Sequence, residues 1–364
     1  GDGTGTVESL LRFDSALYSQ VGASNFGEDA AGFGCVVISD DNFGGELGIL
    51  TTNDYVIGAQ VSNCTMEYGG NQPGNSTIGV DFVSCNVCLG KINTHIIGGT
   101  YGTIAGGLSN KSNGTYSFIG AGHLNTASCS YSFIGAGLCN YNNSTNSFIG
   151  AGSLNCVSGA GHNVVVGGCL NEADGNNNFS FIGGGYFNNA NASSGRCGQV
   201  IVGGILNQVC SYQGSILGGC KNLVTGNKSS VVGGILNTAS GTCSFVGGGS
   251  NNRVINQYSS IIGGSDNLDG SQYSIIGGGQ INEITLNGCC SSMVGGYNNC
   301  INNPLSFIGG GYENGITRPL MMSTAFSFIG GGCQNQVTSS LSSIVGGYQN
   351  QLPEGSNCSF IGGG

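Results

Sequence analysis

The chain has 364 residues, of which 72 are Gly and only 4 are Pro, with 39% apolar and 7% charged residues. Glycine at this level without a three-residue period and abundant proline excludes collagen, and frequent Ile, Val and Phe at so low a charge exclude a disordered polyelectrolyte. The net charge of −10 sits in residues 1–90, where eleven acids face Arg12 alone, while residues 91–364 carry seven of each sign; neither part offers the basic surface that nucleic acid or an anionic membrane attracts.

In residues 1–90 the segments Cys35–Ile38, Leu47–Leu50 and Tyr55–Gly58 read as short strands between Gly, Asn and Asp turns, and Leu10–Phe13 can start a short helix. Tyr55 to Asn63 is a degraded copy of a unit that recurs later. Terminal repeats are atypical because they cap an exposed edge. Residues 1–90 are therefore expected to form an acidic, irregular β-rich region ahead of a repeat array at 91–364.

The unit reads Ser306-Phe307-Ile308-Gly309-Gly310-Gly311-Tyr312-Glu313-Asn314 in one copy. Its pattern is small-polar, variable, Ile or Val, variable, a Gly pair in which Ala can replace one member, two free residues and Asn. With the Asn as position 0, it recurs at Asn110, Asn125, Asn140, Asn155, Asn171, Asn188, Asn207, Asn222, Asn237, Asn252, Asn267, Asn282, Asn299, Asn314, Asn335 and Asn350. The modal spacing is fifteen and every departure is an insertion, as at Ser194–Cys197 and Arg318–Met321, which a solenoid places in loops.

Two apolar stripes run through the array, at −6 (Ile119, Ile216, Ile308 and their equivalents) and at +2 (Ala127, Val209, Ile316 and their equivalents). Eight residues apart, they can face each other across a thin two-sided coil of two short strands and two turns, since fifteen residues at ~3.3 Å each give a circuit of roughly 50 Å. The predicted fold is all-β: a parallel β-solenoid of fifteen-residue coils. The Gly pair then turns the chain, and the Asn forms an inward amide ladder that tolerates left-handed φ. The plainer reading makes these Asn simple turn formers.

Positions −7 and −5 flank the inward −6 residue and should be polar in a lone coil, yet they are apolar and paired by size. Phe118, Phe133, Phe148, Phe181, Phe245, Phe307 and Phe328 at −7 each accompany Gly at −5, whereas Ser at −7 accompanies Leu, Val or Ile at −5, as in Ser215/Leu217 and Ser260/Ile262. Large beside absent and small beside medium is the signature of a packed site of constant volume. A continuous outward apolar stripe is an association surface, and identical chains close it most simply in a symmetric ring. A homotrimer with the Phe stripe on its axis is the expected assembly.

The 17 cysteines favour an oxidising compartment, and stacked coils bring equivalent residues to disulfide distance, so bridges between adjacent coils are expected. Cys85-x-x-Cys88 has no second pair, and His95, His123 and His162 lie at no ligand spacing, so no metal is expected. The glycosylation sequon occurs at Asn63, Asn75, Asn110, Asn113, Asn142, Asn143, Asn178, Asn191, Asn227 and Asn357. No run of eighteen apolar residues is present, so no membrane insertion is expected. The sequence stops within a unit, at Phe360–Gly364, so the expectation is either that more sequence follows or that the N-terminal cap of a further subunit docks there head to tail.

The unit, as in Ser244-Phe245-Val246-Gly247-Gly248-Gly249, resembles the head repeats of trimeric autotransporter adhesins and related repeats of phage and giant-virus fibre proteins. The resemblance covers about residues 95–364 and implies a left-handed parallel β-roll and association of three chains. The fifteen-residue period, ladder Asn, cysteines and sequons depart from the adhesin pattern and fit a eukaryotic or viral extracellular fibre better. No nucleotide loop, nucleophile elbow or zinc-protease motif is present, so no enzyme and no cofactor are expected. The expected function is a structural, glycosylated fibre protein at a virion surface or outside the cell, with a receptor-binding fibre head as the alternative. An ice-binding solenoid is a minor one, since the +1 position varies where a Thr column would be needed.

Overall fold

The structure is a computed structural model that describes residues 99–364 except 175–178, 192–197 and 318–325, together with the backbone of Val56–Ser62, Thr65–Tyr68, Thr77–Val83, Asn86–Leu89 and Ile96–Ile97. It divides into two compact units, Gly1–Cys139 and Asn140–Gly364. The described residues contain strands and turns and no helix.

In the first unit Val56–Ser62 pairs in parallel with Thr77–Val83, and Thr65–Tyr68 with Asn86–Leu89. Two-residue strands follow in two rows. One runs from Asn86–Leu89 through Thr103–Ile104 and Phe118–Ile119 to Phe133–Ile134. The other runs from Ile96–Ile97 through Lys111–Ser112 to Thr126–Ala127. The strand anticipated at Tyr55 is present as Val56–Ser62. Cys35–Ile38, Leu47–Leu50 and Leu10–Phe13 lie outside the described residues.

The second unit is a parallel β-solenoid of ~15-residue coils. Its −7/−6 strands stack in register, as in Val200–Ile201, Ser215–Ile216 and Ser230–Val231. The +1/+2 strands do the same, as in Gln208–Val209, Leu223–Val224 and Thr238–Ala239. Both apolar stripes are buried without exposure at nearly every coil, Ile216 and Val224 among them. A third row, absent from the two-sided expectation, is a column of single parallel bridges at −2: Ile205 to Cys220, Cys220 to Ile235, Ile235 to Ser250. The coil therefore has three hydrogen-bonded rows, because the chain extends for one residue between the Gly turn and the ladder Asn.

Extra residues fall between the +2 and −8 positions. Cys156–Gly159 and Val164–Val165 bracket one such insertion, and neither row loses register across it: Val157 pairs with Ala173, and Val165 with Ile182. Ser194–Cys197 and Arg318–Met321 lie outside the described residues, between strands that also keep register (Ala190 with Val209, Ile308 with Ile329).

Corners are made by left-handed residues that are not glycine. In the coils around Asn222, Leu206, Lys221 and Leu236 at −1 have φ of 57°, 56° and 59°, and Gln213, Lys228 and Cys243 at +6 have 51°, 56° and 55°. Such a φ costs a non-glycine residue of order 1 kcal/mol. Here it turns one peptide around. Strand N–H groups donate to the following coil, as Gln208 N–H does to Asn222 O, whereas Lys221 N–H donates backward to Ile205 O at 2.9 Å and Lys228 N–H to Tyr212 O at 2.7 Å. The ladder Asn is not itself left-handed. The residue before it takes that conformation, because the Asn backbone N–H is already committed forward of the corner to the preceding amide.

That commitment is the interior ladder. Asn222 N–H donates to Asn207 Oδ1 (3.0 Å), and its own Oδ1 accepts from Asn237 N–H (2.9 Å). Its Nδ2 donates to Gly218 O in the same coil and to Gly234 O in the next, at 3.0 and 3.1 Å. The pattern repeats from Asn140 to Asn350 in the second unit and links Asn110 to Asn125 in the first. These carboxamides are nearly all fully buried, and each replaces hydrogen bonds that its turn cannot make with backbone alone.

The ladder explains the Gly pair. Gly219 at −3 has φ 87°, and a Cβ there would meet Gly234 O at 2.2 Å and Asn222 Nδ2 at 2.6 Å. At −4, a Cβ on Gly218 or Gly233 would meet nothing within 4 Å, which is why Ala121, Ala136 and Ala151 occupy that position. The two glycines should separate in a test. Gly218→Ala should shift stability by less than about 0.5 kcal/mol, while Gly219→Ala should cost about 2 kcal/mol or more and expose neighbouring amides to hydrogen exchange. Equal effects on the thermal midpoint would contradict this assignment.

Candidate functional site

The outward surface of the second unit is set by which positions the coil leaves unburied. At −7 and −5 every coil presents at least one apolar side chain, from Phe148 and Val166 through Leu217, Val232, Ile262 and Val294 to Phe328 and Val345. Leu217 is 51% exposed, Ile262 50%, Val294 58% and Phe328 38%. The −2 row is interrupted by Ser153, Ser250, Ser265 and Gln280. The +1 row is mixed: Gln208, Leu223, Thr238, Arg253, Leu268 and Glu283 in six successive coils. The −7/−5 face is thus the uninterrupted apolar one.

Within a single chain the size pairing already has a cause. A Cβ on Gly309 would meet Gly330 O of the next coil at 2.3 Å and Phe307 Cε1 at 3.4 Å, and one on Gly330 would meet Val345 O at 2.3 Å and Phe328 Cε1 at 3.3 Å. The ring lies over the glycine of its own coil. Phe148, Phe181 and, in the first unit, Phe118 repeat the geometry over Gly150, Gly183 and Gly120. Neighbouring rings stack, with centroids 5.4 Å apart for Phe307 and Phe328 and 5.0 Å for Phe118 and Phe133. Phe245 stands between Ser230 and Ser260 on the same row. The pairing keeps the face level from coil to coil while leaving it open to solvent.

A second polar ladder, at −8, had only the mark of a small-polar residue in the sequence. Ser229 Oγ donates to Gly241 O of the next coil at 2.6 Å and accepts Ser244 N–H at 3.0 Å. Ser291 does the same with Asn303 O and Ser306 N–H. Asn163 takes the position in one coil, accepting Ser180 N–H. The recurring Ser before each apolar residue was the available signal, and it required knowing that this residue points inward.

The +2 stripe has buried polar interruptions at Ser112, Asn142 and Asp269. Asp269 stacks between Val254 and Ile284 with no solvent exposure. Its Oδ1 accepts from Ser274 Oγ, Ser271 N–H and Ser271 Oγ, while Oδ2 has no protein partner. Burial raises its pKa to about 6 against the opposing pull of those hydrogen bonds.

The sequons divide. Asn110 is a ladder residue and Asn142 a core residue, each at 0% exposure, with Asn110 Nδ2 donating to Gly106 O and Asn142 Nδ2 to Ser147 O. A folded coil has no room for a glycan on either, which corrects the sequence reading for those two. Asn113, Asn143, Asn191 and Asn227 are half-buried and Asn357 is exposed; all five lie between the +2 position and the following −8 residue. Asn63, Asn75 and Asn178 lie outside the residues whose side chains are described.

No disulfide joins neighbouring coils among the described residues, contrary to expectation. Cys169, Cys220 and Cys333 share position −2, and Cys156 and Cys300 share +1, but each pair of equivalent positions is separated by at least one intervening coil. Burial, reinforced by Glu172, pushes the Cys156 thiol to about 11, and burial with Glu283 does the same to Cys300. This is the opposite of an activated thiolate. His162 stacks on Phe179, centroids 5.0 Å apart, and among the described residues no three His, Cys, Asp or Glu gather as a metal site would require. Cys85, Cys88 and His95 lie outside the described side chains.

The chain matches no protein-family model, and no curated protein is significantly similar to it.

Asp269 supplies a pH test. Its folded pKa lies above the unfolded value, so folding favours the protonated form, and its contribution is best at acid pH and is lost as pH rises from about 4 through 6. Asp269→Val, matching the column of Val254 and Ile284, should raise stability at pH 7.5 relative to pH 4.5 by about 2 kcal/mol compared with the wild type. Thermal unfolding at the two pH values measures this, and an unchanged difference would refute it.

Proposed function

We propose that this protein is a structural fibre protein whose chains associate laterally, as a homotrimer, through the −7/−5 face. The reading is carried by one observation: in the second unit that face is apolar at every coil and half-exposed in the isolated chain. Large contiguous apolar patches on soluble proteins are association surfaces, and an array along a stack of coils is matched by an identical array on a second copy. The rings of Phe307 and Phe328, lying over Gly309 and Gly330, are ready-made elements of such an interface. The charge-poor, hydroxyl- and amide-rich exterior and the sequons Asn113, Asn143, Asn191, Asn227 and Asn357 support a glycosylated fibre outside the cell or on a virion.

A receptor-binding fibre head is the second reading, favoured by a polar groove on a different corner of the same unit. The ice-binding alternative loses support, since the +1 row alternates Gln, Leu, Thr, Arg, Leu and Glu over six coils with no Thr column.

Sedimentation equilibrium of the full chain tests the assembly. The expected mass is three times 36.5 kDa, before any glycan. Phe307→Asp combined with Phe328→Asp should lower the association constant by at least about a hundredfold, because each burial event would strand a charge. A monodisperse monomer for the wild type, or an undiminished oligomer for the double variant, would overturn the proposal.

A further inference from the structure

Four successive coils of the second unit bring carboxamides together around a shallow groove at the corner between positions −1 and +1. Its floor is Gly315, the one glycine at +1 in this unit. A Cβ there would meet the Gln336 carboxamide at 2.4 Å, so that side chain lies across the glycine. One wall is the −1 column, in which Gln349 Nε2 donates to Gln334 Oε1 (3.0 Å) and Gln334 Nε2 donates to Glu313 Oε2 (2.8 Å). The other wall is Gln336 and Gln351 at +1 of adjacent coils, paired in register. Beside the −1 wall runs the −2 column, where Tyr297 and Tyr312 stack at 5.3 Å.

The lining decides the ligand class. None of the lining residues is Lys or Arg, so phosphate, sulfate and nucleic acid have no counter-charge. The single carboxylate, Glu313, is occupied by Gln334 and Tyr312, which hold its pKa below the usual value, and one carboxylate falls short of the ligand set of a calcium site. A protein partner would require an apolar anchor pocket, and the groove has none. Carboxamides carry donor and acceptor together and suit vicinal hydroxyl groups, which also do both.

We propose that this groove binds an uncharged oligosaccharide laid along the stacking direction, with Gln336 and Gln351 contacting successive sugar rings. The coil rise of ~4.8 Å presents one such carboxamide per sugar in an extended chain. The proposal deepens the fibre-head reading and is independent of lateral assembly, because −1 and +1 lie on other rows than −7 and −5. The site is open and shallow, so its affinity is weak and depends on several rings bound at once.

Calorimetric titration of the full chain with cellohexaose, laminarihexaose, mannohexaose and chitohexaose tests it, with a heparin hexasaccharide as the anionic comparison. At least one neutral hexasaccharide should bind. Gln336→Ala with Gln351→Ala should weaken it at least about tenfold, the loss of one or two hydrogen bonds. Gly315→Leu, which fills the floor, should do the same, and Thr238→Ala on the same row far from the groove should not. Both groove variants should keep the wild-type thermal midpoint and sedimentation. No neutral binding, binding by heparin alone, or equal affinity in both groove variants would overturn the proposal. If the panel is silent while the protein still adheres to glycosidase-treated cells, the groove assignment fails and the fibre-head reading stands.

Discussion

A buried carboxamide reaching from one coil to the next is the constraint on which the rest of this structure depends. Each ladder Asn satisfies a carbonyl of its own turn, a carbonyl of the following turn and the backbone N–H of the following Asn. A net hydrogen bond is worth about 1 kcal/mol, but a buried group left unmade costs about 1–3 kcal/mol. Substitution of one Asn therefore disturbs two coils. Glycine at −3 follows directly, because the amide lies where any Cβ would be, and the left-handed residue at −1 follows because the peptide before the Asn must turn its N–H back to the preceding coil.

With the interior fixed by two polar ladders and two apolar stripes, the outward positions are free to differ from row to row. Those at −7 and −5 keep at least one apolar side chain in every coil, those at +1 vary, and one stretch of −1 and +1 turns to Gln and Glu around Gly315. A solenoid in this way separates a surface suited to its own kind from a surface suited to another ligand, using the same fifteen-residue unit. Asp269 breaks the interior rule: a carboxyl in an apolar column, held by Ser271 and Ser274 on one oxygen only, gives its coil a built-in preference for acid.

Most of the coil was legible before any coordinates. The fifteen-residue period, the inward Ile at −6 and the apolar +2 residue leave a strong imprint because a repeated unit repeats its burial, and the structure places those residues inside. The third hydrogen-bonded row was not legible, since an isolated bridge at −2 asks nothing of its residue: Ile205, Cys220, Ile235 and Ser250 all serve. Left-handed corners were hidden for the same reason. Leu206, Gln213, Lys221 and Lys228 carry none of the Gly or Asn signature by which such turns are recognised, because inter-coil hydrogen bonds and not local propensity hold them there.

Sequence by itself determined the period, the parallel stacking and the identity of the inward stripes, because these are set by residue type at fixed spacing. Tertiary structure decided what depends on neighbours fifteen residues away. It showed that the sequon residues Asn110 and Asn142 are interior, and that no disulfide joins neighbouring coils among the described residues. It showed that Gly219 is obligatory where Gly218 beside it is not, and that Phe at −7 rests on the glycine of its own coil. Each of these depends on which atoms meet in the folded stack, and a linear pattern records only which residues repeat.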